Sequence, residues 1–174
     1  LYVTNRRGDV IRYDKGGDKV GTIVAGGNGL GGNLNQFHIA TFLFVDAQSN
    51  LYIADYYNDR VMKWIKGARE GIVVAGGNGR GQDLTRLSGP RGIWVDGCGN
   101  VYVTELSATE LSVGRVTRWE KGAKRGVVVA GGNGKGAAAN QLSCGNGLFF
   151  DRHGHLYVAD CPNYRVQRFS LITE

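Results

Sequence analysis

Histidine and cysteine are scarce in this 174-residue chain, with three of each, and there is a single methionine, Met62. Cys98, Cys144 and Cys161 include no pair at Cys-x-x-Cys spacing, which removes a zinc knuckle and a thiol redox motif; free thiols are the expectation. No apolar run is long enough to span a membrane, and the chain shows neither a signal-peptide pattern nor an Asn-x-Ser/Thr sequon. Helical periodicity is missing as well. Apolar residues nowhere recur at i, i+3, i+4 and i+7 for long, and the nearest candidate, Leu106–Gly114, reads as a loop or single turn.

Glycine is what the chain does have, with 29 residues. "IVAGGNG" at 23–29 returns as "VVAGGNG" at 73–79 and 128–134. A glycine run after a strand suggests a phosphate cradle, but the residues refuse it. A Walker loop ends in Gly-Lys-Ser/Thr, whereas Gly134-Lys135 is followed by Gly136. Gly27, Gly29 and Gly32 fit a dinucleotide fingerprint only formally, because the second copy does not keep the spacing and no helix pattern follows to face a pyrophosphate. Calcium-binding nonapeptides recur about every nine residues, whereas these runs are 50 and then 55 apart. No nucleotide, metal or other cofactor is expected.

The spacing itself is the signal. "LYVTN" at 1–5, "LYIAD" at 51–55, "VYVTE" at 101–105 and "LYVAD" at 156–160 keep step with the glycine runs. So do "LFVD", "IWVD" and "LFFD" at 43–46, 93–96 and 148–151, and "RVMKW", "RVTRW" and "RVQRF" from 60, 115 and 165. Each unit holds four short β-rich segments, labelled a to d, bounded by Gly, Asn or Asp. Four strands per unit, repeated with turns at fixed offsets, describe a β-propeller blade. A sandwich or barrel is the runner-up, but neither explains the repetition. The apolar triplets Ile72–Val74 and Val127–Val129 read as strands covered on both faces by neighbouring blades.

The Gly-Ile-x-Val-Asp of Gly92–Asp96, the Gly-Asn-x-Tyr-Val-x-acid of Gly99–Glu105 and the Asn-x-Arg-Val of Asn58–Val61 together resemble the NHL repeat. The last motif returns at Asn163–Val166, and the resemblance covers the whole chain in units of roughly 1–38, 39–91, 92–146 and 147–174. It implies an all-β propeller, usually of six blades, with the Gly-Ile-x-Val-Asp strand nearest the channel. The segments count as b, c, d, two full sets, then a, b, c, which makes an arc of about three and a half blades, and the chain is expected to belong to a longer protein. Copy one departs in Asn5 and Asp9, and copy three in Glu105.

Residues present in every copy serve the blade rather than a single reaction. Asp46, Asp96 and Asp151 form one such set. Asp55, Glu105 and Asp160 form another, expected to pair with Arg60, Arg115 and Arg165 and close the b–c loop. His38 stands alone in a d–a loop, and His153 and His155 read as turn filler without a third ligand. The lyase-type propeller enzymes related to NHL proteins are metal-dependent and use several histidines; with no comparable set here, the chain is expected to be non-catalytic.

Formal net charge is +6, much of it in the c–d turns at Lys15, Lys19, Lys66, Arg69, Lys121, Lys124 and Arg125, against Asp14, Asp18 and Glu70. A solvated edge that blocks strand pairing is preferred there over a polyanion site. The residues that differ between copies are the better candidates for recognition. On the face shared by d–a and b–c loops these are Arg6, Arg7, Tyr56, Tyr57, Arg80, Arg86, Arg91 and Lys135, with Leu106–Gly114. Arg with Tyr suits a protein partner first and single-stranded RNA second. The resemblance implies both, since NHL propellers occur as substrate-binding ends of ubiquitin ligases, as RNA binders and as extracellular sensor domains.

Overall fold

A computed structural model describes residues 1–17, 20–106 and 114–171. Among the described residues fourteen strands form four antiparallel sheets. β1 (Tyr2–Thr4), β2 (Asp9–Arg12) and β3 (Thr22–Gly26) make the first. β4 (Ala40–Val45), β5 (Leu51–Asp55), β6 (Arg60–Trp64) and β7 (Ile72–Gly76) make the second. β8 (Pro90–Val95), β9 (Val101–Glu105), β10 (Arg115–Trp119) and β11 (Val127–Gly131) make the third, and β12 (Gly145–Phe150), β13 (His155–Asp160) and β14 (Arg165–Ser170) the fourth. Helix among the described residues amounts to two 3-10 turns, Tyr56–Asn58 and Cys161–Asn163.

Each sheet is an up-and-down meander, and the opening strands β4, β8 and β12 lie beside one another around a common centre. The fold is therefore an arc of a β-propeller. One apolar cluster fills each space between neighbouring sheets. Phe37, Ile53, Met62 and Trp64 join the first to the second; Leu87, Ile93, Val103 and Trp119 join the second to the third; Leu142, Leu148, Leu156 and Val158 join the third to the fourth. Phe37, Leu87 and Leu142 come from the d–a loops and are fully buried. At about 1.5–3 kcal/mol for burying a side chain of this kind, each loop is pinned to the blade it enters.

The apolar triplets of the d strands are not buried on both faces as their sequence suggests. Ile72, Val73, Val127 and Val128 are exposed at the outer edge. Each d strand carries a bulge: Ala75 pairs with Val61 and Val73 with Met62, so Val74 has no partner in the ladder, and Val24 and Val129 repeat the pattern. The extra residue lets Val74 and Ala75 both pack on the same cluster. It also breaks the regularity of an exposed edge, which discourages pairing with another chain. Strands β8 and β12 open at Pro90 and Gly145, ahead of the unit boundaries read at 92 and 147, because a further bulge carries the ladder back to pairs Pro90–Glu105 and Gly145–Asp160.

Candidate interaction face

The b–c and d–a loops emerge on one face of the arc, and a repeated charge clamp ties them together. Arg60 Nε donates to Asp55 Oδ2 at 2.8 Å, and its Nη groups donate to the carbonyls of Gly32, Asn33 and Gln36 in the preceding d–a loop. Asp55 in turn accepts the His38 N–H and the Asn58 side-chain amide. Arg165 does the same, binding Asp160 and the carbonyls of Ala137, Ala138 and Gln141. In the third sheet the longer Glu105 presents both oxygens to Arg115, which also holds the carbonyls of Gln82 and Arg86. Copy one inverts the chemistry: the Asn5 amide donates to Asp9 at 2.9 Å, and Asp9 accepts the Gly27 N–H.

Burial pushes the Glu105 carboxyl above its ordinary value, against the pull of Arg115. Burial also raises Asp160, but donors from Asn163, the Ser143 N–H and Arg165 outweigh it and leave the group below the usual carboxylate range. On the opposite face, Asp46, Asp96 and Asp151 each close an a–b turn by accepting two backbone N–H groups. His155 Nδ1 lies 3.1 Å from Asp151, where Asn50 and Asn100 bind their own aspartates. Burial raises Asp151, but hydrogen bonds from the His155 and His153 N–H groups, Tyr157 and the His155 ring prevail and hold it at about 2. Among the described residues no three His, Cys, Asp or Glu side chains gather as a metal site would need.

The Gly-Gly-Asn-Gly runs shape the d–a loops. Asn28 donates to the carbonyls of Gly26 and Asn35, Gln36 returns a bond to the Asn28 carbonyl, and Asn133 with Gln141 repeats the set. The first glycine of each run has positive φ, +78° at Gly26, +66° at Gly76 and +69° at Gly131. A Cβ at any of them would run into a backbone carbonyl, that of Gly8, Asp59 or Gly114.

Of the eight residues expected on the recognition face, four converge. Tyr56 and Tyr57 meet edge-on at 4.9 Å, and the guanidinium groups of Arg80 and Arg91 lie 6.0 and 5.7 Å from the Tyr56 ring centroid. Arg6 and Arg7 are exposed in the first sheet's b–c turn, and Lys135 is exposed in the last d–a loop. Arg86 pairs with Asp83. Of the Leu106–Gly114 stretch, residues 107–113 lie outside the described ones, as do Asp18 and Lys19 of the basic turns.

Sequence reasoning missed three members. His38 stacks on Tyr57 at 4.8 Å. Asp59 binds Arg80 Nε at 3.0 Å and accepts the Gly89 N–H. Asn146 accepts from Arg91 at 2.9 Å. Asp59 could have been flagged, since the last copy has Tyr164 there and both adopt left-handed backbone at the end of a 3-10 turn.

Similar architecture occurs in solved structures. A chain of the nidogen/laminin complex superposes with TM-score 0.68 at 19% identity over 92% of this chain and 52% of that one. A protein of unknown function from Bacteroides thetaiotaomicron gives 0.67 at 16% over 96% and 43%. Streptogramin B lyase gives 0.57 at 13% over 98% and 50%. These likenesses define the chain as a β-propeller, and the chain spans about half the length of each of these proteins. No protein-family model and no curated protein matches it.

Proposed function

We propose that the chain is a non-catalytic protein-interaction module that binds through the face of the d–a and b–c loops. One observation carries the reading: Tyr56, Tyr57, Arg80 and Arg91 converge from the second sheet's b–c turn, the following d–a loop and the start of β8. Tyr and Arg dominate binding hot spots because they give large contact area and directed hydrogen bonds at modest entropic cost. The clamps beneath hold these loops rigid, which lowers the ordering cost of association. The repeated Asp, Glu and Arg residues are assigned to that scaffold and not to chemistry. The nidogen/laminin complex, a protein–protein assembly with a chain of similar fold, supports the same reading. The NHL resemblance refines it to a substrate-recognition part of a larger protein such as a ubiquitin ligase.

Single-stranded RNA is the second reading, favoured by the exposed Tyr57 ring as a stacking surface beside cations. Selection of a random peptide display library on the full chain tests both. Selected peptides should lose at least about tenfold affinity on Tyr57→Ala, the scale of a hot spot, and keep it in the Arg6→Ala/Arg7→Ala pair. Peptides indifferent to Tyr57→Ala put the surface elsewhere. Mixed single-stranded RNA that binds at low salt and weakens log-linearly as salt rises would move the assignment to nucleic acid.

A further inference from the structure

The inner strands β4, β8 and β12 each begin with one extra residue relative to their partners β5, β9 and β13. Thr41, Arg91 and Asn146 occupy the equivalent position in these bulges, at the inner end of the loop face. They are tied across neighbouring blades: Thr41 Oγ1 donates to the Pro90 carbonyl at 3.1 Å, and Arg91 Nη1 donates to Asn146 Oδ1 at 2.9 Å. Bulges often serve to re-aim a side chain beside a functional site.

Arg91 stands apart from the five paired arginines on this face. Arg60, Arg80, Arg86, Arg115 and Arg165 each sit on a carboxylate. Arg91 forms no ion pair among the described residues, and its Nε–H is buried without an acceptor. The Tyr56 ring holds the guanidinium plane in place, and Asn146, with its oxygen on Arg91, keeps its own NH2 group to donate. A cation fixed by packing with donors unspent is complementary to an acceptor-only anion. A guanidinium fork matches a carboxylate in both charge and geometry.

We infer that this inner rim of the loop face is a carboxylate receptor, in which Arg91 and Asn146 take an Asp or Glu side chain from an acidic segment of a protein partner. The inference rests on the proposed protein-binding role and adds the chemistry of the partner. On this face Arg6, Arg7, Arg91 and Lys135 form no ion pair among the described residues, and that excess of positive charge favours such a segment over a basic one.

The test uses the full chain and two synthetic peptides, Gly-Glu-Tyr-Glu-Gly and its Gln-for-Glu counterpart, with acetate, inorganic phosphate and a short single-stranded RNA as further probes. The buried Arg91 Nε–H serves as an NMR reporter. The Glu peptide should shift that signal saturably, and binding, read in the variants from the Tyr56 and Tyr57 ring signals, should weaken at least tenfold with the Gln peptide, with Arg91→Gln and with Arg91→Lys, which keeps the charge but not the fork. Equal binding of both peptides, with the Tyr56 and Tyr57 ring signals moving, overturns the receptor and leaves the protein-binding role standing. The same shift from acetate or phosphate at equal concentration assigns a small-anion site and overturns the acidic segment. A shift from RNA alone overturns it in favour of phosphate.

Discussion

The carbonyl oxygen of Asp59 fills the place a Cβ on Gly76 would take, leaving no room for a side chain at the first glycine of the second Gly-Gly-Asn-Gly run. Gly79, the last glycine of that run, has nothing within 4 Å of where its Cβ would stand. Both have positive φ, +66° and +81°. Gly79→Ala should therefore cost only the left-handed strain, about 1–2 kcal/mol. Gly76→Ala adds overpacking against Asp59 and Leu87, for a total of about 2–5 kcal/mol. Urea unfolding of the two variants decides it. Equal losses would mean that conformation alone, and not close approach, selects the first glycine.

Arg60 and Asp55 form a buried pair, with side chains 7% and 0% exposed. Removing Arg60 leaves a buried carboxylate without its cation and frees three loop carbonyls, so Arg60→Ala should cost about 3–5 kcal/mol. Arg60→Met combined with Asp55→Leu should cost less than Arg60→Ala alone, because no charge is stranded. Denaturant unfolding of both variants measures this. A double variant as unstable as the single one would show that the loop carbonyls, rather than the stranded charge, carry the cost.

The four-strand period was legible because every copy repeats the same apolar and turn residues, and fourteen strands follow from it. The Asp55–Arg60 and Asp160–Arg165 pairs were legible too, since opposite charges five residues apart bracket a tight loop. The bulges were not. Val74 and Val129 look like any strand valine, and only the ladder register shows that they fall out of step. The carbonyls held by Arg60 lie 24 to 28 residues away, and nothing local announces them. His38 looked isolated because its neighbour Tyr57 comes from the next b–c turn.

Asp160 and Glu105 occupy the same position in their blades yet titrate in opposite directions. Asp160 has a lowered pKa, so its contribution to stability is present above the unfolded value of about 3.9 and is lost as pH falls through the lower folded value. Glu105 has a raised pKa, so its contribution is full below about 4.3 and is lost as pH rises through the folded value. On acidification, the difference in Tm between wild type and Asp160→Asn should narrow, while that between wild type and Glu105→Gln should widen. Thermal melts across pH 3 to 7, an experimental range of about four units around those values, test the signs. Parallel trends would contradict the opposed environments.

Val73 on the outer strand β7 and Leu87 in the d–a loop that follows it differ in what surrounds them. Leu87 leaves the d–a loop to lie fully buried against Ile93, Val103 and Trp119, whereas Val73 is 37% exposed on the outer strand. Leu87→Ala should cost about 2–5 kcal/mol, the lost transfer energy plus a cavity that neighbouring sheets cannot close. Val73→Thr removes little buried area and should stay within about 0.5 kcal/mol. Val73→Thr should also leave light scattering as in the wild type, because the bulge at Val74 already spoils that edge as a template for pairing. Chemical unfolding and light scattering read the two effects. A large loss at Val73 would mean that the outer strand is covered in solution, and that its exposed valines belong to an interface.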